Sequence, residues 1–391
     1  MADGPTYPGV YVDELPPGPR AIPSVQTSTA AFVDRFARGP VDTAVRVGSM
    51  ADFDREYGGL DRLSEASYAV QQFFLNGGSQ AWVVRVRGDD LPADAATLIG
   101  DRATKSGLFA LEGADTFNIL CVPATASLAS GMGDVVRAAT AYCHERRAFM
   151  IVDIPATVTD PGGMQAWMAV NETLRDPSAA LYFPRPMIPD PLDGMRPRSV
   201  GASGTMAGLY ARTDGRLGVW KAPAGKAAQL SGVTQLGYAL SGDEDRALET
   251  LGISTLRTFP VYGHVAWGAR TLEGADTRAS EWKYVPVRRF ALFLEESLYR
   301  GTKWVVYEAN DETTWSQLRV QVGTFMLDLF SKGALQGTTP RDAYFVKCDA
   351  ETTAQDDIEQ GVLNILVGFA PLKPAEFVII KIQQVAGQAR T

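Results

Sequence analysis

Between Thr29 and Trp267, short apolar runs alternate with amphipathic stretches, and this alternation constrains the fold more than any other feature of the 391-residue chain. Ala30–Asp34 and Val45–Gly48 read as strands. Leu63-Ser64-Glu65 opens a helix that carries Val70, Phe73 and Phe74 and stops at Asn76-Gly77-Gly78, a good C-terminal signal. Trp82–Val86 is then a strand, which completes a β-α-β unit. The pattern continues with a strand over Asn118–Val122, a helix over about 131–147, the buried strand Phe149–Asp153, a helix near 163–175 and the strand Ala180–Phe183. Such alternation points to a mostly parallel sheet with helices on both faces. Pro184 to Pro197 holds five prolines and reads as a loop. Asp243–Leu251 reads as a short helix, and 253–258 and 261–267 as strands. Residues 87–107 are polar, Ala-rich and punctuated by Gly, which suggests a domain boundary there.

The two ends differ from this middle. Val10–Val12 is a short β-prone stretch, followed by Pro16-Pro17-Gly18-Pro19-Arg20 and then Pro23. Proline fixes φ and cannot donate to a ladder, so the segment reads as a strand on a stiff, extended arm. Toward the other end, Val287–Tyr299 is amphipathic. Asn310 or Asp311 can cap a long helix whose apolar positions Trp315, Leu318, Val322, Phe325 and Leu329 are spaced 3, 4, 3, 4, and which ends at Lys332-Gly333. The chain closes with Pro371, Pro374 and the apolar strand Glu376–Ile382.

Length suggests two or three domains. With 46% hydrophobic and 21% charged residues the chain can bury a large core, which excludes wholesale disorder. The longest apolar runs are too short to cross a bilayer as a helix, and the first residues lack the basic and apolar regions of a signal peptide. A net charge of −8 argues against nucleic-acid binding. Three scattered cysteines make neither a disulfide scaffold nor a zinc site and fit a reducing cytoplasm. Catalytic motifs fail one by one. Gly225-Lys226 lacks the first glycine of a phosphate loop, where Trp220 stands, and Ala227 replaces the required Ser or Thr. His144-Glu145 has no second His. Ser280-Glu281-Trp282-Lys283 has none of the companion motifs of Ser-x-x-Lys hydrolases. Gly201-Ala202-Ser203-Gly204 reads as a turn before a helix. No catalytic, cofactor-binding or metal-binding residue is assigned. The competing class is a soluble α/β hydrolase or nucleotide-binding enzyme.

A series of blocks goes further. Tyr7-Pro8-Gly9-Val10-Tyr11-Val12-Asp13-Glu14 resembles the opening of contractile tail sheath proteins. Phe73–Gly78 followed by Trp82–Val86 is similar to the next block of that family. So are Asp214–Gly225, Val265–Leu272, Tyr284–Arg289, Gly333–Gly337 and Pro371–Ile379. The blocks stand in family order and span nearly the whole chain, with residues 87–200 matching least. Glu308-Ala309-Asn310 departs from the family, which usually has Pro in the middle.

The resemblance implies a non-enzymatic subunit of an α/β (α+β) fold. An inner mixed α/β domain, 24–95 plus 271–370, is built from both chain ends. An outer α/β domain, 96–270, is inserted into it, with a linking arm at 1–23 and a strand or arm at 371–391. Copies would stack as hexameric rings around an inner tube, in a phage tail, bacteriocin or related injection system assembled in the bacterial cytoplasm. Partners would be neighbouring copies, the tube protein, and baseplate and terminator or cap proteins, with no cofactor, nucleic acid or membrane insertion. The terminal strands, Val10, Tyr11 and Val12 and Phe377, Val378, Ile379 and Ile380, are expected to add to a neighbour's sheet. Pairing within their own chain is the competing reading. Pro16, Pro17, Gly18, Pro19, Pro371 and Pro374 are the expected hinges. On the polar face of the 310–333 helix, Gln317, Arg319 and Gln321 are expected to touch the tube.

Overall fold

A computed structural model describes residues 21–88 and 93–376. The chain divides into two compact units, Val25–Glu295 with Pro371–Thr391, and Met1–Ser24 with Glu296–Ala370.

The larger unit is organised by eleven strands: β1 (Ala30–Asp34), β2 (Ala44–Val47), β3 (Ala81–Arg85), β4 (Ile119–Cys121), β5 (Phe149–Val152), β6 (Ala179–Phe183), β7 (Pro186–Asp190), β8 (Arg196–Ser199), β9 (Gln235–Leu236), β10 (Ser254–Phe259) and β11 (Gly263–Ala266). Eight of them form one sheet in the order β11-β10-β6-β5-β4-β1-β3-β2. Neighbours from β10 through β3 run parallel, and the edge strands β2 and β11 are antiparallel to theirs. The central strands β1, β5 and β6 are buried along their whole length. They can therefore be continuous apolar runs, as strands covered on both faces are. Their side chains alternate between two cores. Phe32, Ile151 and Tyr182 meet the helices Glu65–Leu75 and Ser203–Leu217 on one face, through Phe73, Met206 and Tyr210. Val33, Met150 and Leu181 meet the helix Met132–Arg146 on the other, through Val135, Val136 and Cys143.

The two helices of the first face touch at backbone distance. A methyl group added at Gly204 would lie 2.2 Å from Ala69 O, and one at Gly208 would lie 2.4 Å from Phe73 O. Gly201-Ala202-Ser203-Gly204 does open a helix, as expected, and Gly204 also supplies this close crossing. At the far end of the same helix, Asp214 accepts two hydrogen bonds from Arg289, 2.7 Å and 3.0 Å long, with both side chains almost fully buried. Arg289 also donates to Thr27 O at 2.9 Å.

Two sequence expectations are corrected here. The proline-rich stretch 184–197 is no loop: β7 pairs antiparallel with β8 and with β9 in a three-stranded sheet. Pro189 and Pro197 face each other in the register. Ladder hydrogen bonds alternate along an antiparallel pair, and the Val200 N–H bond to Pro186 O places this pair between bonded ones. Neither missing N–H is needed there. The expected boundary at 95/96 does not divide the structure, because β1 is hydrogen-bonded to β3 on one side and to β4 on the other. Residues 24–95 and 96–270 thus share one sheet, and the partition falls within the helix Val285–Gly301 instead.

In the smaller unit, the helix Glu312–Ser331 buries Trp315, Leu318, Val322, Phe325, Met326 and Leu329. Trp315 and Leu318 pack with Cys348, Trp304 and Ile365. Strands β12 (Tyr344–Lys347) and β13 (Leu366–Phe369) pair antiparallel, with Tyr344 opposite Phe369 and Lys347 opposite Leu366.

Candidate assembly surfaces

The helix Glu312–Ser331 starts where the sequence places it. Asp311 has extended backbone, and its carboxylate accepts from Thr314 N–H at 3.0 Å, a standard N-terminal cap. Opposite its buried stripe, Thr313, Gln317, Val320, Thr324, Leu327 and Ser331 are exposed. They are spaced 4, 3, 4, 3, 4, a heptad-like seam, and none carries a charge. Val320 and Leu327 are 53% and 45% exposed. Gln317 lies in the middle of this stripe. Arg319 lies beside it, and its guanidinium is committed inside the unit, to Cys348 O and the Glu312 carboxylate.

Gln321 is a correction. It is buried, donates to Gly301 O at 3.1 Å and accepts from Trp304 Nε1 at 2.9 Å. Three residues past Leu318, it falls on the core face of the helix, and its amide satisfies two polar groups there.

Strands β12 and β13 form a sheet of two, with no third strand among the described residues. Phe345 and Leu366 are each 53% exposed on it. The Phe345 ring lies across Gly368, its partner in the register, where a methyl group would stand 2.0 Å from the ring. The sheet rests on the helix Glu312–Ser331, where Tyr344 donates to Gly323 O at 3.4 Å, and its edges are a natural place for further strands to add. The expected strand residues Val10, Tyr11, Val12, Phe377, Val378, Ile379 and Ile380, and the expected hinge residues Pro16, Pro17, Gly18 and Pro19, lie outside the described residues. Pro371 and Pro374 stand where the chain passes from Ala370 back to the larger unit.

Sequence reasoning missed a group of buried carboxylates at the C-terminal ends of the parallel strands, the place where open α/β sheets bind ligands. Here the place is filled by the chain itself. Asp153 accepts from Ser203 N–H at 2.8 Å and from Ser203 Oγ at 2.5 Å. A methyl group on Gly201 would meet the same carboxylate at 2.4 Å. Glu65 accepts from Gly201 N–H at 2.7 Å and from Arg185. Burial pushes Asp153 up to about 6 and Asp34, at the end of β1, up to about 7. The two histidines are spent elsewhere: His144 pairs with Asp176 at 2.8 Å and His264 with Thr258 at 2.8 Å. Ser203 therefore has a buried carboxylate beside it and no histidine. A cavity of about 340 Å³ lies between Met50, Phe74, Leu75, Pro189 and Met195, and no titratable side chain lines it. No group of three or more residues able to hold a metal occurs among the described residues.

The family model for the phage tail sheath C-terminal domain matches residues 277–385. The cryo-EM structure of the sheath complex of an extracellular contractile injection system, PVC, in its contracted state, superposes with a TM-score of 0.79 at 26% identity, covering 98% of this chain and 99% of that one. The chain is thus similar, along nearly its whole length, to the protein of a contractile sheath. The helical sheath of the anti-feeding prophage in its contracted state gives a TM-score of 0.77 at 27% identity, over 96% of this chain and 99% of that one. The six-fold symmetrised baseplate of the same prophage gives 0.75 at 27%, over 97% and 99%. The tail sheath protein of Vibrio phage KVP40 is 27% identical over 186 residues, which is 47% of this chain and 26% of the relative. That of Salmonella phage ViI is 28% identical over 178 residues, 45% of this chain and 26% of the relative. The matched region is thus about a quarter of the length of these phage relatives.

Proposed function

We propose that this protein is the sheath subunit of a contractile injection system. Copies stack as hexameric rings around an inner tube, and the lattice relaxes from an extended to a compact form, driving the tube into a target. The observation that carries this reading is the likeness, along 98% of the chain, to a sheath complex in its contracted state. The likeness to a six-fold symmetrised baseplate supports rings of six and a contact with the baseplate. A cap or terminator closes the other end. The uncharged stripe around Gln317 faces the tube. The resemblance implies an outward surface on residues 96–270. A neighbour's terminal strands, Val10–Val12 or Phe377–Ile380, add to the β12–β13 sheet. At about 1 kcal/mol net per backbone hydrogen bond, each junction contributes a few kcal/mol, a modest amount that a lattice multiplies. The linkers Pro16–Pro19 and Pro371–Pro374 take up the backbone rotation that accompanies contraction, because packed cores resist deformation.

Negative-stain microscopy of the purified full-length chain tests the reading directly. Ordered tubes with six-fold end views are expected. A stable monomer that binds nucleotide or turns over an ester would sink it in favour of the hydrolase or nucleotide-binding class.

A further inference from the structure

The stretch from Pro371 to Glu376, Pro-Leu-Lys-Pro-Ala-Glu, has two residues without an N–H and is poorly supplied for a backbone ladder. A side chain holds it instead. The Glu376 carboxylate accepts two hydrogen bonds from Arg270, from Nε and from Nη2, each 2.8 Å long. Arg270 is 2% exposed, and Nη1 is held as well. Nη1 donates to Glu249 O at 2.7 Å, to Asp276 at 2.8 Å and to Gly274 O at 3.3 Å. The Glu249 carboxylate lies 3.3 Å from Nε. Lys283 completes the group, 2.7 Å from Asp276 and 3.6 Å from Glu376. The Arg270 backbone is fixed as well, by a bond from its N–H to Ser254 Oγ at 2.9 Å and by an antiparallel bridge to Tyr284. Two cations thus meet three carboxylates. Burial pushes Glu249 up to about 7, and the Arg270 charge beside it opposes that rise.

We propose that Arg270 is the anchor of the C-terminal segment, a rigid, buried guanidinium that takes tension on residues 377–391 into the larger unit and sets the direction in which they leave it. The proposal rests on reading 377–391 as a strand given to a neighbour. A planar guanidinium suits this role because its fork matches a carboxylate in two bonds at once and so fixes orientation as well as distance, which a lysine would not. All the groups that hold Glu376 belong to the larger unit. A pull by a neighbour on the last residues of a subunit therefore reaches that subunit's own larger unit through a fixed joint, while Pro371 and Pro374 stay on the near side of it.

The test is Glu376→Gln in the full-length protein. This substitution keeps the side chain's shape and leaves Arg270 with its other partners. Hydrogen exchange at the amides of Leu372, Lys373, Ala375 and Glu376 should quicken at least ten-fold, with exchange in β1 and β5 unchanged. Median sheath length by electron microscopy should fall at least two-fold. Unchanged exchange at those four amides overturns the anchor, and faster exchange with sheaths of full length overturns its mechanical role. Deleting 377–391 separates the two readings. Full-length sheaths from the deleted chain sink the strand reading and the anchor with it. Loss of sheaths on deletion, with normal sheaths from Glu376→Gln, sinks the anchor alone.

Discussion

Asp214 and Arg289 sit 75 positions apart in the chain and meet in a buried, doubly bonded pair. Burial raises Asp214, and the guanidinium beside it opposes that rise. Asp214→Ala would leave Arg289 charged and unpaired in the core, so it should cost about 3–5 kcal/mol, read as a shift in the urea midpoint. Asp34 makes the opposite demand. Its folded value of about 7 lies above the ordinary 3.8, so the folded protein holds a proton that the unfolded chain releases. Its contribution is fully present below about pH 4 and is lost as pH rises through about 7. Asp34→Asn should therefore flatten the pH profile, leaving the melting temperature at pH 8 at least ~2 °C closer to that at pH 5.5 than in the parent protein. A variant whose profile matches the parent would sink this account. At this scale the sequence is half legible. The blocks 214–225, 265–272, 284–289 and 371–379 carry the family resemblance, and the fold joins them as Asp214–Arg289 and Arg270–Glu376. Spacing along a chain cannot pair residues 75 or 106 positions apart, so the partners stayed hidden.

The crossing of the helices Glu65–Leu75 and Ser203–Leu217 depends on two glycines four residues apart. Alanine is the better helix former by about 1 kcal/mol, yet Gly204→Ala should destabilise by about 1–3 kcal/mol, because its methyl has no space beside Ala69 O. Denaturant unfolding would decide the sign. On the helix Glu312–Ser331, Gln317→Glu puts a charge into the uncharged stripe without touching the core. Co-purification of tube with sheath should fall several-fold while thermal unfolding stays within ~0.5 kcal/mol of the parent. Unchanged co-purification would remove the stripe from the tube interface. Arg319→Glu is the poorer probe, since it would also break bonds to Cys348 and Glu312. Periodicity located the buried strands and the long helix to within a few residues. It failed at Gln321, where a polar side chain faces the core, and at β7 and β8, where prolines occupy positions that need no donor.

For the molecule as a whole, the composition shift at 87–107 suggested a boundary that the sheet ignores, because β1 lies between β3 and β4. The partition that exists runs through a continuous helix, and no composition change marks it. The mostly parallel sheet itself was legible from the alternation alone. Deleting residues 1–20 should leave circular dichroism and melting unchanged while long sheaths disappear from micrographs. Sheaths of normal length would remove the arm from assembly, and unfolding would return it to its own subunit. Between extended and contracted lattices, cryo-microscopy should find each compact unit superposing on itself, with backbone change confined to Pro16–Pro23 and Pro371–Pro374. A refolded unit, or terminal strands that change partners, would sink the hinge account.

The two-stranded β12–β13 sheet has a kinetic consequence. Among the described residues, a free subunit in solution carries exposed Phe345 and Leu366 on a ladder of two strands, the kind of edge that pairs indiscriminately when left open. Off-pathway association should then compete with ordered growth whenever the monomer pool rises. A platform that seeds growth early would protect the pool by keeping it small. Sheath protein made without its seed should show a lag, a sharp threshold concentration and a fraction of disordered aggregate. Adding preformed ends should abolish all three together.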